Sequence, residues 1–195
     1  MSSPLESSKP QPPPGDADRY FIVFGAAQDA LAWPTESHVF ATFLHLHWNE
    51  DSAKPKLMKS FTMSWIPTSG DVRMFADPEP GRNMTHAETL AWATQRNAKT
   101  KLSGPFEMTA EGFERSLKQW ERLNSGQVAY KMLDGQVRPD KGTNCIHAIS
   151  DVVPGELLQT GLSRGFAAAD MLVAHFRPFL IEPGRTHDWV MKMTA

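Results

Sequence analysis

Residues 38–48 read HVFATFLHLHW, and residues 57–66 read LMKSFTMSWI. Aromatic and β-branched side chains recur in both runs, a composition that fits a pleated, half-buried surface, and the polar stretch Asn49 to Lys56 lies between them. The pair predicts a long antiparallel hairpin. Successive side chains on a strand point to opposite faces, so His45 and His47 share one face and His38 falls on the other. Such a hairpin sets His38 across from Ser64 on the paired strand.

Working outward, Tyr20 to Phe24 is a short apolar run that stops at Gly25 and reads as a first strand, followed by a loop with Trp33 and Pro34. Residues 1 to about 18 carry Ser and Pro but few large apolar groups, the composition of a dispensable, disordered tail. The folded domain is therefore expected over residues 19–195. Downstream, Val72 to Ala76 reads as a further strand before the turn-forming PEPGRN. Thr85 with Glu88 makes a capping box for a helix that ends near Ala98. Phe113, Leu117 and Trp120 mark the buried stripe of a second helix over residues 109–124, ended by Gly126. Val128 to Leu133 reads as a strand, and the loop DGQVRPDKGT leads to Asn144 and Cys145, where an apolar helix begins. Pro154 and Gly155 interrupt it before a last helix over residues 163–175. Strands and helices in this order predict one α+β domain with a mostly antiparallel sheet.

Composition narrows the functional classes. A chain of 195 residues with 41% hydrophobic content suits a single core. A formal charge of -2 and dispersed Lys and Arg argue against nucleic acid as a partner. One cysteine cannot make an intramolecular disulfide, and the start MSSPLESSKPQPPPGD has neither the basic nor the apolar region of a secretory signal. No stretch is long and apolar enough to span a bilayer, so the expected address is cytoplasmic by default.

Cys145 thus poses a question of reactivity. A thiol attacks carbonyl carbon as thiolate, and a free cysteine with a pKa of about 8.5 is mostly protonated at neutral pH. Two devices favour the anion: a neighbouring imidazole that takes the proton, and a helix N-terminus with unpaired N–H groups. Thr143 and Asn144 are good capping residues directly before an apolar helical pattern, which sets Cys145 in the first turn. With an imidazole as well, the expected thiol pKa is about 7 or below.

The segment Asn144-Cys145-Ile146-His147, preceded by Tyr130-Lys131-Met132-Leu133, resembles the Asn-Cys-x-His motif of the lecithin:retinol acyltransferase-like proteins, circularly permuted relatives of the NlpC-type papain-like hydrolases. In that group the catalytic histidine precedes the cysteine and opens the first strand of a hairpin, as His38 does here. A third polar residue lies on the paired strand, often in a His-x-x-Pro setting, and the corresponding stretch is Ser64-Trp65-Ile66-Pro67. The resemblance implies a permuted papain-like domain with Cys145 as nucleophile, His38 as base, Ser64 as third member and Asn144 in an oxyanion or positioning role. It implies a thioester acyl-enzyme and no cofactor or metal, with a peptide, isopeptide or lipid acyl substrate. Serine is a departure: a hydroxyl can orient the imidazole but cannot stabilise an imidazolium as a carboxylate would. Thr62, on the same face of the strand, is the other candidate for third member.

Two rival readings stand beside this one. A domain that kept the fold and lost the chemistry would use its cleft for binding, and the ten methionines suit an adaptable apolar groove. Alternatively, His45 and His47 would bind zinc with a third ligand such as His86. His147 points away from Cys145 on a helix and reads as a packing or surface residue, Asp151 and Glu156 have no identifiable partner, and Trp33, Trp65, Trp92 and Trp120 read as core.

Overall fold

Strand β1, Ala17–Gln28, forms the centre of the protein and pairs on both edges. The structure is a computed structural model and describes residues 15–31, 34–52, 54–133, 142–155, 157–161 and 163–193. Most of the proposed tail, together with Trp33 and Glu156, lies outside the described residues. β1 begins two residues before Arg19 and continues past Gly25, longer than the run from Tyr20 to Phe24. Gly25 does not end the strand because its missing side chain makes room for a partner. Gly25 pairs with Phe40, and a Cβ there would lie 2.2 Å from the tip of the Phe40 ring.

The predicted hairpin forms as β2, Ser37–Trp48, and β3, Lys56–Met63, in antiparallel register with Thr42 opposite Thr62. Its second arm is shorter than predicted. Ser64 lies at a break, after which Trp65–Pro67 leaves as β4 to pair with β5, Glu79–Asn83. The stretch PEPGRN, read as a turn, is thus largely strand. Trp65 lies over Gly81, where a Cβ would come within 2.2 Å of the indole, so the glycine is a packing site. Val72 to Ala76 forms no strand: Phe75 is exposed, and Met74 reaches a cleft described below.

Helix α1, His86–Gln95, has the predicted capping box between Thr85 and Glu88 and stops short of Ala98. β6, Lys99–Met108, which sequence patterning did not reveal, pairs with the free edge of β1. Helix α2, Ala110–Asn124, starts from the Thr109 cap. β7 is only Ala129–Tyr130, not the full run from Val128 to Leu133. Helices α3, Cys145–Ser150, and α4, Gly165–His175, follow. The result is an α+β protein with two antiparallel sheets, ordered β3-β2-β1-β6 and β4-β5-β7. No helix among the described residues is long and apolar enough to cross a membrane.

The larger sheet is covered on both faces. One face, with Ile22, Phe24, Val39, Ala41 and Phe43, packs against Phe113, Ala148, Ile149, Leu172 and Phe176 of the α2, α3 and α4 region. On the other face, Phe21, Val23, Leu44 and Leu46 meet Trp189 and Val190 of a C-terminal 3-10 turn. Farther along that face, Ala27 packs with Trp92 and Ala93 of α1. Full burial of each large apolar side chain contributes roughly 1.5–3 kcal/mol, so this double covering fixes the register that positions the residues below.

Candidate active-site cleft

The local fold around Cys145 begins at the short strand β7. Thr143 N–H donates to the Ala129 carbonyl at 2.9 Å, and Lys131 N–H donates to the Thr143 carbonyl at 3.2 Å. Gly142, just before them, has φ +134, and a Cβ there would lie 2.9 Å from Lys131 Cβ. That left-handed backbone and close approach favour glycine. With Thr143 anchored, Asn144 caps α3: its Oδ1 accepts from the N–H groups of Ile146 and His147, each at 2.9 Å, while its Nδ2 donates to the Met132 carbonyl at 3.3 Å. The side chain is therefore engaged in capping and cross-linking, a positioning role. Cys145 follows as the first helical residue and is half-buried.

His38 is 3% exposed near the start of β2. Its Nε2 lies 2.8 Å from Ser64 Oγ, and Thr89 Oγ1 lies 2.8 Å from the same oxygen and 2.8 Å from the Thr85 carbonyl. Among the described residues Nδ1 makes no hydrogen bond. The Trp92 indole packs against the imidazole with ring centroids 5.4 Å apart. Of the two third-member candidates, the structure joins Ser64 to His38. Thr62 instead lies 3.0 Å from Thr42, whose hydroxyl also meets His86 Nδ1 at 2.9 Å. Sequence patterning did not single out Thr89. Its signal was helical spacing: three residues before Trp92 on α1, it faces the same side.

His38, near the start of β2, and Cys145, at the start of α3, come to one cleft. The imidazole lies on the α1 face of the sheet, whereas α3 packs on the opposite face, so the helix does not sit directly over the ring. Both residues line one cleft of about 240 Å³, with Ser37, Val39 and Asn144. The hydrogen bonds of His38 reach Ser64 and not Cys145. Tyr130, Met74, Met132, Leu133 and Ile146 give the cleft an apolar wall, and Thr160, Gly161, Ser163, Arg164 and Gly165 complete the lining.

Burial pushes the His38 pKa down to about 3, with no charged neighbour to offset it. The imidazole is neutral at physiological pH, and charging it there would cost on the order of 5 kcal/mol. The direction of this shift runs against a resting thiolate–imidazolium pair, one of the two devices invoked to lower the thiol pKa.

The remaining histidines separate from the cleft. His45 Nε2 and His47 Nδ1 both meet Asp18 Oδ1, at 2.9 and 2.8 Å, on the face opposite His38. His86, the proposed third zinc ligand, lies on the His38 face against Thr42. The zinc set is therefore not gathered, and among the described residues no group of three His, Cys, Asp or Glu is arranged to hold a metal ion. His147 donates from Nε2 to the Leu158 carbonyl at 3.1 Å, in keeping with a packing role. Asp151 meets Arg122 at 3.4 Å, an ion pair that sequence reading did not find.

Comparison of the chain with family models, with curated proteins and with solved structures found no match in any of the three.

Proposed function

We propose that this protein is a cysteine-dependent hydrolase or acyltransferase of permuted papain-like architecture, acting through a thioester acyl-enzyme on an amide (peptide or isopeptide) or an ester bond. The observation that carries the reading is one cleft lined by Cys145 and His38, in which the imidazole is held through Nε2 by Ser64. That geometry leaves Nδ1 as the basic atom. The single Thr89 hydroxyl proton is within reach of both Ser64 Oγ and the Thr85 carbonyl; when it goes to the carbonyl, which can only accept, Ser64 donates to Thr89 and His38 Nε2–H donates to Ser64. The chain of hydroxyls fixes the tautomer with its lone pair on Nδ1.

In this mechanism the Cys145 thiol attacks the carbonyl as its proton passes to His38, and the Cys145 backbone N–H at the start of α3 stabilises the oxyanion. The protonated imidazole then gives its proton to the leaving amine or alcohol, and neutral again, it takes a proton from the attacking water or acceptor in deacylation. Charge on the buried ring is confined to the interval between attack and leaving-group departure. Ser64 orients the ring without stabilising its cation.

The test is hydrolysis of a panel of thioesters, activated esters and peptide anilides. Thiol-dependent turnover that Cys145→Ser abolishes and His38→Ala slows, most on the anilides, is the expected outcome. Saturable binding of such compounds with no turnover and no covalent adduct would replace the enzyme with a binding domain, which the apolar methionine-bearing wall also suits.

A further inference from the structure

Among the described residues that line the cleft, Arg164 alone carries a formal charge when His38 is neutral, and no carboxylate accompanies it. Its backbone carbonyl is used, accepting from Ala167 and Ala168. Its side chain is not: among the described residues the guanidinium makes no ion pair and no hydrogen bond. Of the other described arginines, Arg19, Arg73, Arg82, Arg96, Arg115, Arg122 and Arg185 are in ion pairs, and the exposed Arg177, away from the cleft, is in none. The backbone around Arg164 is held firmly. Gln28 Oε1 accepts from Phe166 N–H at 2.9 Å, and a Cβ at Gly165 would come within 2.2 Å of that oxygen.

We propose that Arg164 is a specificity-determining residue that receives a carboxylate of the ligand, and that the cleft takes an N-acyl amino acid or a peptide with a free terminal carboxylate. Three features of the cleft support this class. An unpaired guanidinium in a half-enclosed site offers a planar fork that matches a carboxylate with two parallel hydrogen bonds. Met74, Met132, Leu133 and Ile146 provide an apolar wall for an acyl or aliphatic side chain. Cys145 lines the same cleft as Arg164, so a carboxylate held at Arg164 would keep the rest of the ligand, its amide carbonyl included, in the cleft that the thiol lines. A simple fatty acyl ester would fill the wall and leave the guanidinium unanswered.

This inference deepens the proposed activity and rests on the same cleft, so its test reads binding apart from chemistry. Calorimetry on Cys145→Ser protein measures N-hexanoyl-alanine against its C-terminal carboxamide, which differs only in the anion. The carboxylate should bind at least tenfold more tightly, Arg164→Gln should erase the difference, and Arg164→Lys should restore part of it as a point charge without the fork. Equal affinity for the two compounds, no binding of either, or a preference indifferent to Arg164→Gln overturns the proposal. Hydrolysis is then followed with the wild-type cysteine and the matching peptide anilides. A carboxylate preference in binding without turnover sinks the enzyme and keeps the anion site. Turnover without carboxylate preference does the reverse.

Discussion

His38 and Ser64 stand 26 positions apart in the chain, yet Nε2 and Oγ meet at 2.8 Å inside the protein. They meet because the hairpin breaks at Ser64: β3 ends at Met63, β4 starts at Trp65, and the Ser64 backbone is held by its own N–H to Asn83 Oδ1 at 3.1 Å. The serine is thus fixed by two sheets at once and presents a rigid hydroxyl to the imidazole.

Ser64→Ala should therefore have two separable effects. Losing the partner of a buried imidazole N–H costs roughly 1–3 kcal/mol, which denaturant unfolding will read as a lower midpoint with an unchanged slope. Losing the group that holds the tautomer should lower kcat more than it raises KM, because ring orientation matters chiefly in the transition state. Unchanged stability together with unchanged kcat would remove Ser64 from the site.

A buried neutral histidine also makes stability depend on pH. The folded-state pKa of His38 is about 3, below the unfolded value of 6.5, so the unfolded chain binds the extra proton and folding weakens as pH falls below 6.5. The contribution reaches about 1.4 kcal/mol per pH unit across that window. Burial also lowers the pKa values of His86 and His187, and they steepen the slope in the same direction. Urea unfolding from pH 7 to pH 4 isolates His38 by comparison with His38→Gln, which cannot titrate. The variant should lose close to one proton's worth of slope, and parallel curves would mean that His38 is solvated.

Much of this arrangement was legible from sequence because it rests on local patterns. The run from His38 to Trp48 is rich in aromatic and β-branched residues and forms the strand that composition predicts, Thr85 and Glu88 form the capping box that their spacing predicts, and Asn144 caps the helix that its side chain suggested. What stayed hidden depends on tertiary contacts. Lys99 to Met108 is strand only because β1 offers an edge, against the weak local signal of Lys99, Lys101, Gly104 and Pro105. Gly25 and Gly81 look like breakers until Phe40 and Trp65 are laid over them. Ser64 and Thr62 share a face of the strand, so periodicity could not choose between them, whereas the break in the hairpin does. Burial of His38 by Trp92 and α1 comes from residues about fifty positions away, and it runs against the electrostatic expectation drawn from the motif.

On the opposite face, Asp18 bridges His45 and His47. Hydrogen bonds from His45 and then His47 lower the Asp18 pKa, and the bond to Asp18 raises that of His47. The small stabilisation from His47 is present below pH 6.5 and is lost as pH rises through its raised pKa. Histidine titration by NMR should show His47 above the ordinary value, and Asp18→Asn should bring it down. Because the site is exposed, added salt should shrink the difference. An upshift that survives Asp18→Asn would assign the effect to another neighbour.

The state of the thiol separates two mechanisms for Cys145. A preformed thiolate–imidazolium pair has already moved its proton, so acylation would begin from the charged nucleophile. Burial of His38 without a carboxylate partner argues for the alternative, in which proton and carbonyl addition move together. Four results follow. The acylation step should show a normal solvent deuterium isotope effect. Alkylation of Cys145 should rise with pH along one thiol titration above pH 7, with no reactive thiolate plateau near pH 5. His38→Ala should lower kcat/KM for an amide by about 10²–10⁴-fold, the usual contribution of a positioned base, with a smaller loss on an activated thioester whose leaving group needs no proton. Cys145→Ala should abolish turnover on both substrates while barely changing the unfolding midpoint, since the thiol is half-buried. A thiolate already formed at pH 5 and dependent on His38 would show that the imidazole is charged at rest, and the neutral-base mechanism would give way to the ion pair.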